Sequence, residues 1–163
     1  MANPVLFASS LFFAYLHLAL ILIFQPVPRV FSFTILSGVL SSIWNHGTTS
    51  ELAKWSDRGA MAVGAAVDFA YIYSVPIGRR PLLAALIVAA IAGYAGAKAL
   101  VRRQAPQAKQ KRAPWALAAV LSSGDLPHLL AHACLSCTHF VMIVELASHC
   151  GGPAAAAAGA FCR

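Results

Sequence analysis

Long apolar runs alternate with brief polar breaks along this chain, and the length of the runs sets the first expectation. "VLFASSLFFAYLHLALILIFQ" (5–25) continues until "PVPR" interrupts it, and "VFSFTILSGVLSSIWNHGTT" (30–49) follows with a polar last turn. "GAMAVGAAVDFAYIYSVPI" (59–77) is the third run and carries Asp68 near its middle. "PLLAALIVAAIAGYAGAKAL" (81–100) is the fourth, rich in the small residues that let helices approach closely. "LPHLLAHACLSCTHFVMIVELA" (126–147) is the last. A helix crosses a bilayer with about 20 mostly apolar residues, so each run predicts a transmembrane helix. "APWALAAVLSSG" (113–124) is apolar but too short to cross comfortably.

The expected architecture is therefore all-α: a polytopic transmembrane helical bundle of five spans plus a short apolar segment. A sixth span would follow if 113–124 crosses. Residues 1–150 are expected to form one domain, and 151–163 a low-complexity Ala/Gly-rich tail with no assigned role. The N-terminal run lacks the basic start of a signal peptide and exceeds its apolar length, so 5–25 is taken as a retained span.

Composition agrees. Of the 163 residues, 60% are hydrophobic and only 10% charged, against about 25% charged in a soluble domain. The net charge of +7 raises the question of nucleic acid. The basic residues lie in short clusters between apolar runs, however, and no basic face interleaved with aromatics exists to read bases. No nucleic-acid partner is expected. Trp44, Trp55 and Trp115 lie near span ends, as an aromatic belt would.

The clusters instead set an orientation. Lys54 and Arg58 follow the second run, and Lys98, Arg102, Arg103, Lys109, Lys111 and Arg112 lie at or beyond the end of the fourth. The opposite breaks hold only Arg29, Arg79 and Arg80. This imbalance puts the N-terminus and the loops after helices 2 and 4 in the cytoplasm. If 113–124 does not cross, the last helix begins on that same side.

Parity then brings two polar groups together. "SSIWNHGTTSELAKWSDRG" (41–59) offers Ser42, His46 and Asp57, and "DLPHLLAH" (125–132) offers His128 and His132. The latter pair is spaced i, i+4 and shares one helix face. His46 can add a third imidazole nitrogen. Three neutral His with an open fourth position suit a catalytic zinc, Zn2+, better than a closed structural one. Zinc polarises a carbonyl and lowers the pKa of bound water to about 7. Asp57 is placed to move that proton, and Ser42, one turn before His46, to donate to an oxyanion.

The plainer readings are interfacial or packed histidines, and polar groups inside an apolar segment weigh against them. Asp68 is assigned a structural role. Glu145 and His149 are taken as interfacial, and His17 has no evident partner. His139 shares the face of His132 but lies about 10 Å deeper at 1.5 Å per residue. The four cysteines, Cys134, Cys137, Cys150 and Cys162, make no disulfide framework, although Cys150 and Cys162 could pair. "CLSC" (134–137) is a lone C-x-x-C and a weaker rival metal site.

The ordered set of "SIWNH" closing a second helix, Asp57 at the start of a third and "HLLAH" opening the last resembles the CREST superfamily of membrane hydrolases. That superfamily includes alkaline ceramidases and the progestin and adiponectin receptor proteins, and the step from His46 to Asp57 looks most like the ceramidase branch. The resemblance implies zinc on His46, His128 and His132, with Asp57 and Ser42 assisting. It also implies a membrane lipid substrate cleaved at an amide or ester bond. The family has seven helices, so this chain would be a shortened member, and a homodimer could replace the missing ones. No Asp or Glu precedes Glu51 to build a ceramidase-like calcium site. The alternative is a non-catalytic, receptor-like or scaffolding membrane protein whose zinc is structural or vestigial.

Overall fold

The computed structural model describes residues 3–108, 125–152 and 162. Its regular elements are all helical, as the apolar pattern predicts. Among the described residues five α-helices follow in order: α1 (Pro4–Ile23), α2 (Arg29–Gly47), α3 (Glu51–Ile72), α4 (Arg80–Ala108) and α5 (Asp125–Gly151). A 3-10 turn, Ile77–Arg79, leads into α4. The segment 113–124 lies outside the described residues, and so does most of the tail.

Local chemistry sets the helix starts. Asn3 caps α1, its side-chain oxygen accepting from the Leu6 amide at 3.0 Å, with Pro4 at the first position where its missing N–H costs nothing. Ser50 caps α3 by accepting from the Ala53 amide at 3.4 Å. Two boundaries differ from expectation. α3 begins at Glu51 rather than 59, so Asp57 sits inside the helix. α4 continues past residue 100 through "VRRQA", because Arg, Gln and Ala are good helix formers whatever their polarity.

The main packing pairs are α1 with α2, α2 with α3, α4 with α5, and α1 with α5. The first three of these pairs run antiparallel, and α1 and α5 run parallel, since their starts meet at Asn3 and Asp125. The Asn3 amide donates to the His46 carbonyl at 3.2 Å, joining the start of α1 to the end of α2. Asn3 Nδ2 also donates to Asp125 Oδ1 at 2.9 Å, tying in the start of α5. At the other end Arg79 pairs with Glu145. One end of the bundle thus gathers the starts of α1, α3 and α5 and the close of α2. The C-terminal half of α4 lies there too, with Tyr94 edge-on to His128. That is the common end which the parity of the runs required.

Among the described residues three helical stretches are long and apolar enough to cross a membrane: Pro4–Ile23, Ile77–Arg103 and Asp125–Gly151. α2 and α3 fall below that measure because Arg29, Asn45 and His46 dilute the one and Glu51, Lys54, Asp57, Arg58 and Asp68 the other. Of these, Asn45, His46, Asp57 and Asp68 are buried. The outward faces of all five helices carry large apolar residues, among them Phe12, Phe33, Val63, Val88 and Leu130. Buried polar groups under an apolar exterior invert the usual pattern of a water-soluble protein. The apolar core, with Phe31, Leu83, Ile87, Met142, Ile143 and Leu146 fully buried, fills the half away from His46, His128 and His132.

Candidate metal centre

The short link 48–50 folds α3 back against α2, so the last turn of one lies beside the first turns of the other. Asn45 Nδ2 donates to Asp57 Oδ2 at 2.6 Å across that seam. His46, the next residue, turns toward α5. There His128 and His132 lie one turn apart on the inner face, and the three imidazoles meet. Ring centroids are 5.0 Å apart for His46 and His128, 4.8 Å for His128 and His132, and 6.3 Å for His46 and His132. One ring nitrogen from each lies within 4.8 Å of the others.

The donor set fits a metal ion. Three nitrogens at bond lengths of about 2.0–2.1 Å in a tetrahedral site stand about 3.3–3.4 Å from one another. Ring rotations about the side-chain torsions can draw 4.8 Å down to that. His46 Nε2 is buried with no hydrogen-bond partner, and a buried unsatisfied polar atom costs about 1–3 kcal/mol unless something occupies it. Asp57 Oδ1 is the other such atom. Both lie on the side chains that the spacing singled out.

A cavity of about 110 Å³ opens beside the cluster, lined by Ser42, Asp57, Tyr94 and His132. His132 is thus the imidazole that borders it, and the two assisting residues share its wall. Ser42 Oγ lies 3.2 Å from Ser10 Oγ, so its hydroxyl has a partner on α1 as well as a view of the cavity. Outside the apolar region, Lys54 Nζ donates to Glu51 at 2.5 Å and holds that carboxyl below its ordinary range.

Other residues sort differently. Cys134 and Cys137 are free thiols and join no metal-sized cluster among the described residues. Cys150 is disulfide-bonded to Cys162, so the tail carries one fixed point after all. His17 does have a partner: it bonds to His139, which bonds to Asp68. Sequence reasoning missed Asn45, although it stands beside His46, and Tyr94, which no spacing marks out. It missed the link of Asn3 to Asp125 because 122 residues separate them.

No family model, curated protein or solved structure matches this chain. What the fold and site define is a class: a helical bundle with segments long and apolar enough to cross a membrane and, at one end, a three-histidine cluster in which His46 and His128 are buried and His132 half-buried.

Proposed function

We propose that the protein is a zinc-dependent integral-membrane hydrolase that cleaves an amide or ester bond of a lipid. The observation that carries this reading is the meeting of His46, His128 and His132 beside a cavity that Asp57 and Ser42 also line. The resemblance to the ceramidase branch of the CREST superfamily supports it. All five helices cross in this reading. α2 has 19 residues and α3 has 22, close to the 30 Å of a hydrocarbon core at 1.5 Å per residue. Their buried polar groups, Asn45, His46, Asp57 and Asp68, face the bundle, and the exposed charges Glu51 and Arg58 lie in the first turns of α3, at the membrane surface in this reading.

His46, His128 and His132 would hold the ion. Bound zinc supplies Lewis acidity, polarising a carbonyl and making water nucleophilic near neutral pH. Asp57 is held at Oδ2 by Asn45, which leaves Oδ1 to accept a proton from water and return it to the leaving group. Ser42 supplies a hydroxyl donor on the same wall, where charge would build on the carbonyl oxygen. Placement near one end of the bundle suits a substrate whose reacting bond lies at headgroup depth.

The test is metal content followed by turnover. Purified protein is expected to hold one zinc per chain, lost in His128→Ala and His132→Ala. Asp57→Asn is expected to keep zinc while lowering hydrolysis of a panel of lipid amides and esters by roughly 10²–10⁴-fold. Metal-free wild type would end the proposal. One feature favours a second reading: the cluster bridges α2 and α5, which are not among the main packing pairs. A zinc serving only to clamp them would leave Asp57→Asn indistinguishable from wild type.

A further inference from the structure

Deeper in the bundle, three residues that this chemistry does not use are joined end to end. His17 of α1, Asp68 of α3 and His139 of α5 are 3%, 2% and 6% exposed. His17 Nδ1 lies 2.6 Å from the Phe13 carbonyl oxygen, and His17 Nε2 lies 2.9 Å from His139 Nδ1. His139 Nε2 lies 3.2 Å from Asp68 Oδ2. The contacts run in a line and do not converge on a point, which suits a shared proton rather than a metal ion.

Counting protons along the line is decisive. Each of the three links needs one hydrogen between its heavy atoms. A backbone carbonyl only accepts, so His17 Nδ1 must carry a proton. The links from His17 to His139 and from His139 to Asp68 need one each, which makes three. Two neutral imidazoles bring only two. The third sits on the Asp68 carboxyl, or it makes one imidazole cationic beside the carboxylate; the total is the same and the unit is neutral. Take that proton away and one link becomes lone pair against lone pair, with an uncompensated carboxylate between helices.

We propose that Asp68, His139 and His17 form a buried proton-binding site that holds one exchangeable proton. All three line the cavity that also reaches His132 and Asp57, so the proton has a route to water or to a basic group there. The Phe13 carbonyl cannot pass a proton on, which makes the line a store with its open end at Asp68, not a wire through the bundle. Release moves the proton from the Asp68–His139 link to a base in the cavity and leaves the carboxylate behind; recovery from water restores it. The groups facing the unit are Phe31 of α2, edge-on to His139 with Tyr71 of α3 against it, and, on the shared cavity wall, Ile87 of α4 and His132 of α5. The store stands whether or not the three-histidine cluster holds zinc.

The experiment is infrared and ¹⁵N-histidine NMR spectroscopy on the full-length protein in lipid nanodiscs, with backbone-assigned imidazoles. Near neutral pH either a protonated-carboxyl band that vanishes in Asp68→Asn, or one imidazolium at His17 or His139, is expected. Both give the count of three. An ionised Asp68 beside two neutral imidazoles would overturn the proposal. So would a zinc equivalent that is lost in His17→Ala but retained in His128→Ala. Asp68→Asn is expected to fold, since its amide N–H replaces the acid as donor to His139, and to keep the zinc content of wild type. The wild-type imidazole count decides the matter even if that variant does not fold.

Discussion

Asn45 is the residue on which the proposed chemistry turns without touching substrate. Its amide holds one oxygen of Asp57 at 2.6 Å and so aims the other. A hydrogen bond to a charged group contributes about 1.5–3 kcal/mol, and about 1.4 kcal/mol is tenfold in rate. Asn45→Ala is therefore expected to lower turnover roughly 10- to 100-fold while zinc remains stoichiometric and KM moves little. Unchanged turnover would remove Asn45 from any positioning role. At this scale the sequence was legible where spacing carries chemistry. His128 and His132 announce themselves as i, i+4 neighbours, and Ser42 and His46 do the same. Asn45 has no such signature, because an amide at a helix end looks like any surface Asn until its partner is known. His17 and His139 are opaque for another reason: neither has a titratable partner at helical spacing that would mark the pair, and 122 residues separate them.

Helices were legible as apolar runs, and their polarity hid their limits. The break before residue 59 is polar in composition yet helical in fact from Glu51, because Ser50 caps it and Glu51, Leu52, Ala53 and Lys54 all favour helix. The pairing of α4 with α5 rests on a detail composition only hinted at. A Cβ on Gly93 would stand 3.1 Å from the Pro127 carbonyl oxygen and 3.3 Å from the Ala131 methyl. The absence of a side chain lets the two backbones close up at the level of His128 and His132. Gly93→Leu must push α5 away, and overpacking of this kind costs about 1–3 kcal/mol. The variant is expected to unfold at lower temperature and to bind zinc at least tenfold more weakly, measured by competition with a chelator. Zinc affinity equal to wild type would show that the imidazoles do not depend on the close approach. Gly96, whose Cβ would meet nothing within 4 Å, provides the control: Gly96→Ala should leave affinity unchanged.

On the scale of the whole molecule, two independent features give the bundle a direction. Charge is the first: among the described residues Lys54, Arg58, Lys98, Arg102 and Arg103 gather at or beyond the histidine end, and Arg29, Arg79 and Arg80 serve the other. Such an excess faces the cytoplasm. The second is the Cys150–Cys162 disulfide, at the end where Gly151 approaches Pro26 and Arg79 meets Glu145. Disulfides persist in oxidising compartments and are rare in the cytosol. The basic end and the bridged end are opposite ends, so in the proposed membrane reading the two signals agree on one orientation, with the three-histidine cluster on the cytoplasmic side. In sealed vesicles of known sidedness, a membrane-impermeant maleimide is expected to label Cys150 and Cys162 only from the lumenal or external face, and only after reduction. A single cysteine placed at Lys54 should label from the cytoplasmic face without reductant. Labelling of Cys150 from the cytoplasmic face would reverse the direction and move the cluster, with any lipid it acts on, to the other leaflet.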